Sequence, residues 1–326
     1  MKKILTVLVV VCALTLISFQ VHAVELKIAT LAPQGTSMHN TFEKLGKDIK
    51  AATGGRVSIK IFGGGVQGDE KDVVRKMRYG QLDGAALTGV GMGMIDPQIR
   101  VLELPFLFKN SSEVDKVYAG MEPFFKSAFS NKGFELLGWA EVGFVKIFSN
   151  KAIREKTDLK GVKMWMWEGD PLAKAMYDAM GVTPVPLAIT DVLTSLQTNL
   201  IDAAYAPEFG AIGFQWHTKT KYMTDVNLVN GTGGIILTKK AWAKISGGDK
   251  AIIKNLIKAE AKKLVQQTRQ DNLESKQAVK SAGIQVVTPT PEAVEELRQI
   301  GKQVRTTLVG NLYSQQLLDM VLSKLK

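Results

Sequence analysis

Thr157-Asp-Leu-Lys-Gly-Val-Lys-Met-Trp-Met-Trp-Glu-Gly-Asp-Pro171, an amphipathic stretch to Met180, and then Gly181-Val-Thr-Pro-Val-Pro-Leu187 form the segment on which the fold turns. Val162 to Trp167 reads as a short strand. Side chains alternate across a strand, so Val162, Met164 and Met166 point one way and Lys163, Trp165 and Trp167 the other. Asp170 is placed to cap the next helix and Pro171 to open it. Trp165 and Trp167 therefore share one face at the carboxyl end of a strand that feeds a helix, which is where open α/β sheets bind ligands.

The same grammar continues on both sides. Upstream, Val24, Leu26 and Ile28 alternate as a strand, and Thr36 or Ser37 caps a helix with Met38, Phe42, Leu45 and Ile49 on one face. Val57, Ile59 and Ile61 make the next strand, a helix carries Val73, Val74 and Met77 inward, and Gly84 to Thr88 is a third strand ending in a glycine-rich turn, Gly89 to Gly93. Phe134 to Ser149 is strand-like and is the expected crossing between lobes. Downstream come Val185–Leu187, a helix over Asp191–Thr198, the strand Leu200–Tyr205, a helix from Glu208 to Trp216, and Gly233–Thr238 as a strand that returns to the first lobe. Alternation of this kind predicts an α/β protein of two lobes, each a mostly parallel sheet flanked by helices. Asp249 to Ser281 has no proline or glycine, so about 33 residues form about 50 Å of helix, long enough to span both lobes and act as a spine for hinge closure. The expected lobe I is 24–142 plus 231–270, and lobe II is 143–230 plus 271–326.

The amino terminus has Lys2 and Lys3, an apolar run from Ile4 to Phe19, and Val21-His22-Ala23, the parts of a secretory signal with cleavage expected after Ala23. The one cysteine, Cys12, lies in that run, so thiol and disulfide chemistry are excluded from the exported protein. Its net charge falls from +11 to +9 when Lys2 and Lys3 are lost. The lysines are spread over helices, which reads as a solvated surface and not as a nucleic-acid site. The glycine turns at 63–69 and 89–93 lack the Lys-Ser/Thr of a phosphate loop, and no Gly-x-Ser-x-Gly or His-Glu-x-x-His motif is present. Carboxylates such as Glu141, Glu168 and Glu208 read as solvated or capping groups. The expectation is a binding protein with no catalytic residues, metal or cofactor.

The chain resembles the DctP-type extracytoplasmic solute receptors of tripartite ATP-independent periplasmic (TRAP) transporters over its mature length. The stretches that carry the resemblance are Gly54-Gly-Arg-Val57 through Phe62, Gly68-Asp69, Gly80-Gln-Leu-Asp83, Leu104-Pro-Phe-Leu-Phe108, Asp158-Leu-Lys-Gly-Val-Lys163, Gly181-Val-Thr-Pro184, and Leu196-Gln-Thr-Asn199 with Asp202 and Pro207. The resemblance implies a periplasmic receptor whose two lobes close on one solute and hand it to TRAP integral membrane subunits.

Several positions depart from the family pattern. Where most members have an arginine that grips the substrate carboxylate, this chain has Trp165. A second family arginine aligns with Val145, beside Lys146; the family's Glu-Asn-Pro aligns with Tyr205, Ala206 and Pro207; and a cleft acid aligns with Thr88. Replacing a guanidinium by an indole exchanges a charge-assisted grip for an apolar platform. This pattern resembles the branch associated with tetratricopeptide-repeat partner proteins and implies an apolar or amphipathic solute, bound by Trp165, Tyr205, Thr88, Val145, Trp167, Phe209, Ala206 and Ile189. The alternatives are a small organic acid held by a non-standard anchor, Lys146 or Lys163, and a lipid or lipoprotein carrier.

Overall fold

The computed structural model describes residues 23–325; the expected signal segment, residues 1–22, lies outside them. In the first lobe, strands β1 (Val24–Thr30), β2 (Val57–Phe62) and β3 (Gly84–Thr88) alternate with helices α1 (Ser37–Ala52), α2 (Glu70–Arg78) and α3 (Gly89–Ile95). A 3-10 helix at Pro97–Glu103 and the helix α4 (Ser111–Asn131) lead into β4 (Phe134–Phe144). The second lobe holds β5 (Lys146–Ser149), β6 (Trp165–Trp167), α5 (Pro171–Met180), β7 (Val185–Leu187), α6 (Val192–Gln197), β8 (Ala203–Ala206), α7 (Glu208–Gly213) and β9 (Tyr222–Thr224). The chain returns through β10 (Asn230–Thr238), then forms α8 (Lys239–Ala243), α9 (Gly247–Ser281), β11 (Gln285–Val287), α10 (Pro291–Thr307) and α11 (Gln315–Ser323).

The sheets are mixed, where a mostly parallel arrangement was expected. The five-stranded sheet has the order β2-β1-β3-β10-β4, with β1 parallel to β2 and β3 and with β10 antiparallel to β3 and β4. The reason is topological. The chain leaves lobe I along β4 and comes back along β10, so neighbouring crossings must run in opposite directions. The four-stranded sheet, β11-β9-β5-β8, pairs β5 antiparallel with both neighbours, and β6 and β7 form a short parallel pair. Val145 breaks the crossing between β4 and β5; its N–H donates to Val229 O (2.9 Å) and its carbonyl accepts from Leu228 N–H (3.1 Å), which ties the outgoing and returning strands together.

The long helix runs from Gly247 to Ser281, two residues longer at its start than the sequence indicated, because Ser246 caps it by accepting from Asp249 N–H. Its 35 residues span about 52 Å at 1.5 Å each. Ile253, Ile257 and Leu264 pack in the core of the five-stranded sheet, and Val279 packs in that of the four-stranded sheet. Strand β11 joins the four-stranded sheet, and α10 and α11 bury Ile300, Val304 and Val321 in the cluster that holds Phe125 and Phe129 of α4.

Gly89–Gly93 is the first turn and a half of α3, not a turn, with Thr88 as its cap. Its glycines answer a close approach. A Cβ at Gly89 would meet the Glu103 carboxyl at 2.3 Å, and one at Gly91 would meet Glu70 Oε2 at 2.6 Å. These contacts bring two buried carboxyl groups to the wall of the cleft.

Candidate functional site

A cavity of about 270 Å³ lies between the two sheets. All eight residues singled out from the sequence line it: Trp165, Tyr205, Thr88, Val145, Trp167, Phe209, Ala206 and Ile189. The period-two reading of the quoted segment explains how two of them arrive. Trp165 and Trp167 enter one apolar cluster, while Val162, Met164 and Met166 enter another on the opposite side.

Trp165 is part of the wall more than a platform, being only 1% exposed. Its ring stacks on Tyr205 at 4.6 Å and 26° and meets Trp216 edge-on at 5.3 Å, while its Nε1–H donates to Leu187 O at 3.0 Å. Trp165→Phe removes that hydrogen bond and part of the buried ring, so it should lower stability by about 1–3 kcal/mol. Urea unfolding of the two proteins checks this.

The charged groups of the site come from elements that the sequence reading did not single out. Asp170 caps α5, accepting from Leu172 N–H (2.9 Å) and Ala173 N–H (3.2 Å), as the Asp-Pro spacing indicated. Its other oxygen accepts from Arg100 Nη2–H at 3.0 Å, across the cleft from the 3-10 helix of lobe I. Arg100 Nε lies 3.1 Å from Glu103 Oε2, yet the N–H has no aligned hydrogen bond, and Nη1 makes none among the described residues. Burial alone would lower the Arg100 pKa, but the facing Asp170 and Glu103 outweigh it and hold the guanidinium charged. Glu103 is raised, first by burial, against the pull of Arg100 and of Thr232 N–H, which it accepts at 2.6 Å.

Thr88 is bound to a carboxyl group. Its N–H and Oγ1–H donate to Glu70 Oε1 (2.6 Å) and Oε2 (2.7 Å), and Gly91 N–H adds a third bond at 2.6 Å. Burial pushes the Glu70 carboxyl from 4.5 up to about 7 in spite of those donors. Because the folded state holds the proton more tightly than the unfolded chain, this group's stabilising share is complete below pH 4.5 and is lost as pH rises through 7. Denaturation between pH 5 and 8 should therefore show Glu70→Gln losing less stability than the wild type, by up to about 3 kcal/mol. Equal slopes for the two proteins would remove Glu70 as the cause.

Tyr205 contributes a donor. Its hydroxyl accepts from Trp167 N–H at 3.1 Å and has no acceptor of its own among the described residues. Burial pushes its pKa well above 10, so it stays protonated. The two lysines considered as anion anchors are elsewhere. Lys146 Nζ is held by Asp225 Oδ1 (2.8 Å) and Asn227 Oδ1 (2.7 Å), and Lys163 Nζ by Asn199 O (2.5 Å); neither lines the cavity.

A second set of bonds ties the lobes together. Asp69, the cap of α2, accepts from Trp167 Nε1–H at 3.0 Å and from Ile189 N–H at 2.9 Å, both in lobe II. A charged residue inside an apolar run, as Arg100 and Glu103 are between Ile99 and Leu104, was the signal that could have marked the first pair. Asp69 carried no such signal.

The family model DctP, bacterial extracellular solute-binding protein, family 7, matches residues 28–309. A sialic acid-binding periplasmic protein of Vibrio cholerae is 22% identical over 92% of this chain and 94% of its own length. A 2,3-diketo-L-gulonate-binding periplasmic protein of Escherichia coli is 23% identical over 86% and 85%. Among solved structures, a sugar acid binding protein of Advenella mimigardefordensis in complex with galactonate has a TM-score of 0.88 at 19% identity, over 93% of this chain and 98% of that one. An extracytoplasmic solute receptor of Bordetella pertussis binding pyroglutamic acid has a TM-score of 0.86 at 18% identity, over 93% and 99%. The fold thus recurs in TRAP solute receptors, and this chain belongs to the DctP family of bacterial extracellular solute-binding proteins.

Proposed function

We propose that this protein is a periplasmic TRAP receptor that takes up a small organic acid, holding its carboxylate on Arg100 and the Tyr205 hydroxyl, and delivers it to the membrane subunits. The observation that carries this reading is Arg100, a buried guanidinium on the cavity wall with donor capacity that Asp170 and Glu103 leave unspent. Guanidinium is suited to a carboxylate because its planar fork can donate two bonds at once. The solutes named for the relatives, which include sialic acid, galactonate and pyroglutamic acid, are acids as well. The expectation of a solute without such a group has no support among them. What the exchange of the family arginine for Trp165 took away, Arg100 returns from another element, where Lys146 and Lys163 cannot.

Calorimetric titration with a panel of monocarboxylates and sugar acids, each beside its neutral amide, tests the proposal. Acids should bind at least tenfold tighter than their amides; equal or tighter binding of the amides would sink it. Export with cleavage after Ala23 belongs to the same proposal and is read by amino-terminal sequencing of the secreted protein. So does a tetratricopeptide-repeat partner, which copurification with a tagged receptor would reveal.

A further inference from the structure

The cavity does not end at the aromatic wall. It borders both sides of the segment Met164–Trp167, with Trp165 and Trp167 on one side and Met164 on the other. Past Arg100 and Asp170 its lining continues with Ile153, Met164, Met176, Met180, Leu228 and Leu297. Helix α5 presents a stripe to it, Ala173, Met176, Tyr177 and Met180, at the i, i+3, i+4, i+7 spacing of one helix face.

The hydroxyls of this inner arm are spent within the protein, and its charged lining is Arg154, Glu155 and Lys156. Tyr177 O–H donates to Trp165 O at 2.8 Å and Thr224 Oγ1–H to Ile153 O at 2.8 Å. What remains is apolar surface, much of it methionine, which adapts its shape to an occupant. The exposed Arg154 and Glu155 also border the cavity, so this arm reaches the protein surface. The total volume, shared between the cleft and this arm, is about 270 Å³. At about 30 Å³ per water-sized unit it holds about nine such units.

We propose that the inner arm is a second subsite that takes the apolar tail of the solute, so that the preferred ligand is an amphiphilic monocarboxylate of about six to eight carbons with its head at Arg100. This rests on the reading of Arg100 as the carboxylate anchor, and the two parts fail differently. A compact, fully hydroxylated sugar acid would leave the arm unused or place hydroxyls against Met164, Met176 and Leu228 without partners. An alkyl chain would instead bury one methylene after another against them.

The test is calorimetric titration of the full-length mature protein with two homologous series, n-alkanoates and n-alkanols from four to ten carbons. Alkanoate affinity should rise about fourfold per methylene up to about octanoate and then level off, with each alkanol weaker than its acid. Met176→Trp, which narrows the arm, should move the optimum to shorter acids by about two carbons. If butanoate binds and longer acids bind no tighter, the tail subsite is refuted while the Arg100 reading survives. If alkanols climb as steeply and bind as well as the acids, the subsite stands and Arg100 is not the anchor. Absence of binding by every member of both series overturns the proposal.

Discussion

Arg100→Met should unfold at markedly lower denaturant, losing about 3–5 kcal/mol, and should bind no acidic solute measurably. The stability loss follows from what is left behind. Asp170 Oδ2 at 3.0 Å and Glu103 Oε2 at 3.1 Å face the guanidinium, and all three side chains are less than one-tenth exposed. Deleting the cation strands two buried carboxyl groups, and breaking a buried pair from one side costs more than the pair contributes. Adding Asp170→Asn and Glu103→Gln to Arg100→Met should recover much of the stability without recovering binding, which separates the structural role from the recognition role. Arg100→Lys keeps the charge but not the fork. It should fold, and should bind an acid about 10–100-fold more weakly, the equivalent of one charge-assisted hydrogen bond of about 1.5–3 kcal/mol. Urea unfolding and calorimetry read the two effects separately. Undiminished acid affinity in a folded Arg100→Met protein would end the case for this anchor.

The residues that the sequence made legible were those whose placement is local. Period two put Trp165 and Trp167 on one side of a strand and Met164 and Met166 on the other; Asp170-Pro171 marked where α5 begins; and a run without glycine or proline marked α9. The same rule accounts for Lys146 lying off the cavity. Val145 and Ile147 line the cavity, so the residue between them in an extended chain points away from it.

What escaped was pairing between distant residues. Arg100 meets Asp170 across 70 positions, Glu70 meets Thr88 across 18, and Asp69 meets Trp167 across 98. No periodicity records such contacts. Comparing one position with its family counterpart registered the arginine lost at Trp165, but it could not register a guanidinium supplied to the same cavity from the lobe I 3-10 helix. The expected turn at Gly89–Gly93 failed for a related reason. Those glycines make room for Glu70 and Glu103, whose approach is tertiary, and the backbone remains helical.

Asp69→Ala should open the cleft. Asp69 is 8% exposed and offers its carboxylate to two donors of the opposite lobe, the Trp167 indole at 3.0 Å and Ile189 N–H at 2.9 Å. Bonds to a charged acceptor contribute about 1.5–3 kcal/mol each, so the substitution should weaken the closed arrangement by about 3–6 kcal/mol relative to the open one. Moving a two-state balance from 99:1 to 1:99 takes about 5.5 kcal/mol, so the predominant form should change. Small-angle scattering should record a larger radius of gyration, while loss of the α2 cap removes only about 1 kcal/mol from the lobe itself. Asp69→Asn retains one acceptor oxygen and should fall between. Affinity should drop about 10–100-fold for every solute the protein binds, acid or neutral, because binding must then also supply the work of closing. That uniformity distinguishes Asp69 from Arg100, whose loss should discriminate against acids. If Asp69→Ala scattered and bound like the wild type, these cross-lobe bonds would be incidental to closure, and the Arg100–Asp170 pair, the hinge strands beside Val145 and the helix α9 would set the balance.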